Sequence, residues 1–145
     1  GTVEVRVCDG LPTLWETLAM VALIQCLVVW LDQQYETGKR SRQIHMQRYW
    51  LAPENKWQAA RYGLDGEIIV EEGNTRRILR DDIALLLETL APIAVSLRCE
   101  KELGFVKEIL KRGPSTIRQR AVFASTGSFP KVVDSLIQEL AQSLA

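Results

Sequence analysis

Metal-binding and disulfide signatures are scarce in this sequence. One histidine and three cysteines, Cys8, Cys26 and Cys99, are scattered over 145 residues with no CxxC pair. That set supplies neither a tetrahedral zinc site nor a disulfide framework. Excess charge is lacking as well, because 18 basic residues balance 18 acidic ones. Neutrality removes bulk attraction to nucleic acid or an anionic membrane and leaves only local basic patches. No internal repeat, low-complexity linker, signal peptide or lipidation motif is visible. The expectation is a cytoplasmic, single-domain globular protein in which Cys26 and Cys99 pack as small apolar residues. The longest apolar run, LAMVALIQCLVVWL at residues 18–31, is interrupted by Gln25 and bracketed by Glu16 and Asp32. It falls short of the ~20 residues that span a bilayer and reads as the central buried helix of a bundle.

What is present begins with TVEVRVCDG, residues 2–10. Alternation predicts a strand over 2–8, with Glu4, Arg6 and Cys8 on one face and Val3, Val5 and Val7 on the other. The charged face is either ordinary exposed surface or the wall of a polar site. Thr13 and Glu16 have the spacing of a capping box for a helix over 14–34 that stops near Gly38. Pro53 suits a first helical position, which predicts a short helix over 54–62 closed by Gly63. EIIVEEGNTRRI predicts a hairpin within 67–78 that turns at Gly73-Asn74.

The remainder reads as helical. Asp81 or Asp82 caps a helix that Pro92 kinks or divides. The next carries Leu103, Val106, Ile109 and Leu110 on one face and ends at Gly113-Pro114, and another precedes Gly127. The last has an apolar stripe of Val132, Val133, Leu136, Ile137, Leu140 and Leu144. The fold class is therefore α+β: a mainly helical bundle with a small β-hairpin and one N-terminal strand. A lone strand and a hairpin make no substantial sheet, so the strand is assigned to a larger antiparallel sheet, and the chain reads as the C-terminal piece of something larger.

Three passages in order, TVEVRVCD before a long apolar helix, ENKWQAARYGLDGEII, and RGPSTIRQRAVF, resemble the C-terminal region of the bacterial type 2 glutamate–cysteine ligase family, the carboxylate–amine ligases. The E-x-R strand also resembles a signature of the wider glutamine-synthetase-like superfamily. The resemblance implies that residues 1–145 are the C-terminal part of a catalytic domain. It further implies ATP-dependent joining of the glutamate γ-carboxylate to the cysteine amine through an acyl phosphate, giving γ-glutamylcysteine for glutathione synthesis. The implied cofactors are ATP and Mg2+. The implied partners are the two substrates and the remainder of the catalytic domain, with no nucleic acid and no membrane; a homo-oligomer is left open. Carried onto this chain, the resemblance makes Glu4 the metal ligand and Arg6 the catalytic cation facing the transferring phosphoryl group or substrate carboxylate. Turnover by the chain alone is not expected.

Other residues keep two readings. Lys39, Arg40, Arg42, Arg48, Lys56 and Arg61 are opposed in their interval only by Glu54, forming either a nucleotide-facing rim or a solvated loop. Arg61 and Lys56 are its candidate nucleotide-binding residues, with Trp57 and Tyr62 as local packing. His45 has no evident orienting partner and reads as a loop residue rather than a general base. Arg118 and Arg120 diverge on their helix as structural or surface cations. Cys8 has no base beside it and is not read as a nucleophile. The rivals to the ligase reading are another amine ligase of the same family, a non-catalytic helical interaction module, and a nucleic-acid module, the last disfavoured by neutrality.

Overall fold

The computed structural model describes residues 4–37, 50–70 and 75–144. Gly38, His45, the expected turn at Gly73-Asn74 and the basic residues Lys39, Arg40, Arg42 and Arg48 lie outside the described residues, while the expected helix stop near Gly38 falls at Glu36. Helix α1 runs Leu14–Glu36. Thr13 Oγ1 accepts the Glu16 N–H at 3.2 Å and donates to Glu16 Oε2 at 2.8 Å. In a full capping box the carboxylate reaches back to the cap's own N–H. Here it takes the cap's hydroxyl, and its other oxygen serves a distant partner.

Helix α2 spans Leu51–Tyr62 and so begins ahead of Pro53. The first four N–H groups of a helix have no intrahelical acceptor, so proline forfeits no bond at the third position, as at the first. A 3-10 turn at Gly63–Asp65 leads to β1 (Glu67–Ile69), which pairs antiparallel with β2 (Arg76–Ile78), Ile69 standing opposite Arg76. Helix α3, Leu79–Leu97, follows β2 directly, so neither Asp81 nor Asp82 caps it. The Leu79 N–H instead donates to Gly66 O at 2.8 Å. Both acids occupy the first turn, where the helix dipole favours them, and Asp82 pairs with Arg77. Pro92 does not divide α3. Helices α4 (Glu100–Arg112), α5 (Ser115–Thr126) and α6 (Phe129–Leu144) complete the chain.

The core lies where α1 sets Ala19, Ala22 and Cys26 against Leu87, Leu90, Ile93 and Ala94 of α3 and Leu103 and Val106 of α4. Small residues on α1 let the helix axes approach closely. Ile109 and Leu110 pack on the same cluster, as the sequence pattern predicts. Three expectations differ. Helix α1 is central but open on its far side, where Val21, Val28 and Leu31 are exposed. With 23 residues it is also, by length and composition, long and apolar enough to cross a membrane, although its inner face is that of a core helix. The α6 stripe buries only Val132, while Val133, Ile137, Leu140 and Leu144 face outward, because α6 packs on α5 and α1 rather than into the main cluster.

The third difference concerns the N-terminal segment. Residues 4–10 form no strand, and a turn occupies Arg6-Val7. The two described strands pair with each other, which leaves this segment without a ladder, and an extended backbone with no ladder has nothing to hold it.

Cys26 is fully buried, as expected of a small apolar residue. Burial, reinforced by the neighbouring Cys99 thiol, pushes its pKa from 9.0 up to about 11. The unfolded thiol therefore ionises first. Its contribution to stability is complete below pH 9.0 and fades as pH rises towards about 11, with a slope of at most about 1.4 kcal/mol per pH unit. Denaturant titrations across that window are expected to show this decline, and a Cys26→Ala chain is expected to lack that component.

Candidate functional site

Glu4 and Arg6 stand side by side: Arg6 Nη2 lies 3.0 Å from Glu4 Oε2, with the side chains 67% and 84% exposed respectively. An exposed pair of this kind adds only ~0–1 kcal/mol to stability. Chemically, such a carboxylate can give a hard oxygen to a bound cation while the neighbouring planar guanidinium meets an anion that the same cation holds. Among the described residues no group of three or more His, Cys, Asp or Glu side chains could hold a metal ion. A single exposed carboxylate such as Glu4 can give one oxygen to a hard cation such as magnesium, an ion that takes few protein carboxylates and completes its shell with water and phosphate oxygens.

Lys56 and Arg61 are exposed on α2. The Arg61 guanidinium lies 5.9 Å from the Tyr62 ring centroid, and Trp57 meets Tyr62 edge-on at 5.8 Å. Arg61 thus stands with two half-exposed rings, an arrangement that suits an anion attached to a flat ring system, while Lys56 lies five residues earlier on the helix. Among the described residues, no hydrogen bond or ion pair joins this surface to Glu4 or Arg6.

Contacts between α2 and β1 explain much of the ENKWQAARYGLDG passage. Asn55 Oδ1 accepts the Ile69 N–H and Asn55 Nδ2 donates to Ile69 O, both at 2.8 Å, clamping β1 to the helix. Gly63 adopts φ 60°, ψ −137°, and a Cβ on Gly66 would stand 2.9 Å from the Gln58 carbonyl oxygen. These glycines let the chain turn and pass close to α2. Sequence reasoning missed the Asn55 clamp because its partner is a backbone amide that no side-chain pattern marks. Asn55→Ala is expected to lower unfolding free energy by about 2 kcal/mol, since it orphans the backbone groups of buried Ile69; equilibrium urea unfolding measures this.

A second cluster was also missed. Glu16 is 2% exposed, yet its Oε1 accepts from Arg118 Nη2 at 2.8 Å. Arg118 also donates from Nε and Nη2 to the Glu139 carboxylate at 3.1 and 3.0 Å, and from Nη1 to Gly113 O at 2.9 Å. These bonds raise the Arg118 pKa, Glu139 contributing most, against the opposing effect of burial. One guanidinium therefore joins the start of α1, the end of α4, α5 and α6. The Leu14 N–H adds a bond to Ser143 Oγ at 3.1 Å in the same region. This cluster anchors the end of α1 that follows directly from the segment bearing Glu4 and Arg6. Arg118 is the structural cation the sequence allowed for, while Arg120 is exposed. The available signal was Glu16 itself, an acid at helical spacing from Ala19 and Cys26 on the buried stripe.

Comparison with known proteins follows the same residues. The family model described as Glutamate-cysteine ligase family 2 (GCS2) matches residues 1–135. A Rhodococcus jostii protein named "Putative glutamate--cysteine ligase 2-2" is 49% identical over 97% of this chain and 37% of its own length. A Frankia alni protein named "Putative glutamate--cysteine ligase 2-1" is 46% identical over 97% of this chain and 36% of its own length. One from Leifsonia xyli, named "Putative glutamate--cysteine ligase 2", is 46% identical over 99% of this chain and 38% of its own length. The chain thus spans little more than a third of the relatives it matches.

Proposed function

Because the chain belongs to glutamate–cysteine ligase family 2, we propose that the intact protein uses ATP to join the γ-carboxylate of glutamate to the amine of cysteine through an acyl phosphate. The match over residues 1–135 carries this reading. In it, residues 2–8 become a strand when the rest of the domain offers a ladder, which turns Glu4 and Arg6 together towards the nucleotide. Arg6 holds the transferring phosphoryl group or the substrate carboxylate in its planar fork, and Glu4 gives one carboxylate oxygen to Mg2+. Magnesium, when bound, neutralises phosphate oxygens during the transfer. Lys56 and Arg61 line the nucleotide rim beside Trp57 and Tyr62. The product would feed glutathione synthesis in the cytoplasm.

The test uses the intact protein with ATP, Mg2+, glutamate and cysteine. The expected result is γ-glutamylcysteine formed in step with ADP and phosphate. Ligation of a different amine, with none of cysteine, would reassign the substrate within the family. Absence of any ATP-dependent ligation would overturn the proposal.

A further inference from the structure

Two of the three cysteines, 73 positions apart, place their sulfurs 3.7 Å apart. Cys26 sits on the inner face of α1 with no exposed surface, while Cys99 is half-buried just before α4, after the left-handed residue Arg98. We propose that Cys26 and Cys99 are a redox modification site that closes to an intramolecular disulfide when a low-molecular-weight disulfide reaches Cys99. This pairing does not depend on the ligase reading.

The geometry decides the order of events. Cys99 is the sulfur a small molecule can approach, and burial holds the Cys26 thiol protonated, with its pKa near 11. Cys99 therefore attacks the external disulfide. The external S–S bond breaks, one thiol departs with the proton Cys99 loses, and a mixed disulfide remains on Cys99. Cys26 then attacks the Cys99 sulfur, and the second external thiol leaves with the Cys26 proton. Two protein thiols are oxidised and one external disulfide is reduced to two thiols. The sulfurs must approach from 3.7 Å to about 2.05 Å. The link would tie α1 covalently to the junction of α3 and α4.

A Cys8→Ser chain, which lacks the exposed third thiol, tests the pairing under native conditions with oxidised glutathione as the probe. After alkylation of the remaining thiols, peptide mapping without reduction is expected to yield a Cys26–Cys99 linked peptide and a whole-chain mass lower by two hydrogens. The melting midpoint should rise by about 5 °C or more and return on adding dithiothreitol. Both cysteines remaining alkylatable, a reaction that stops at glutathione attached to Cys99, or linkage between separate chains would overturn the proposal. The map reads the folded Cys8→Ser chain directly, so it does not depend on whether a Cys99→Ser control folds.

Discussion

Arg118→Ala is expected to lower unfolding free energy by about 3–5 kcal/mol, because removing one partner of a buried pair strands the other charge. Glu16 is 2% exposed and, among the described residues, its carboxylate would keep only the Thr13 hydroxyl. Typical domains hold only about 5–15 kcal/mol in total, so the variant should unfold at much lower urea. Arg118→Lys retains the charge but not the fork that reaches Glu16, Glu139 and Gly113 together, and should lie between wild type and alanine. A double-mutant cycle with Glu16→Gln is expected to show strong coupling, because the loss at Arg118 arises largely from the carboxylate it leaves behind. Independent effects that simply add would contradict the buried-pair description.

The opposite behaviour is expected of Glu4→Gln and Arg6→Ala in the intact protein. Each should reduce kcat for ligation by at least about 100-fold, the size of losing one preorganised charge contact in a transition state. Stability should change by less than about 0.5 kcal/mol, since both side chains are largely exposed. The two variants should also differ in kind. Glu4→Gln should raise the Mg2+ concentration needed for half-maximal rate, whereas Arg6→Lys should recover part of the rate by restoring charge without the bidentate fork. Because Arg6 and the magnesium that Glu4 would hold act on the same phosphoryl transfer in this reading, the double variant should be only slightly worse than either single one. A structural role would link activity to unfolding; the expected outcome separates them.

Local chemistry made much of this architecture readable. Thr13 and Glu16 announced the start of α1, Gly113-Pro114 the end of α4, and the EII…RRI pattern the hairpin. Errors arose where tertiary bonds replaced local rules. Pro53 entered a helix that Leu51 had already begun, and α3 borrowed the Gly66 carbonyl in place of an aspartate cap. The Glu16–Arg118 pair spans 102 positions, and nothing near either residue points to the other. Within the candidate site, Glu4 does lie beside Arg6, but in a segment that turns at Arg6-Val7 rather than in the strand whose alternation implied the pairing. Its relation to Lys56 and Arg61 was not legible, because no spacing or periodicity links residues 4–6 to a helix that begins at Leu51.

Trapping the activated glutamate is the most direct measurement. Hydroxylamine added to the intact protein with glutamate, ATP and Mg2+ captures an acyl phosphate as γ-glutamyl hydroxamate. The ligase assignment predicts hydroxamate from wild type in proportion to ADP, and almost none from Glu4→Gln or Arg6→Ala proteins that remain folded. Wild-type yields from both folded variants would contradict the roles given to Glu4 and Arg6, and no hydroxamate from wild type would contradict the ligase assignment itself.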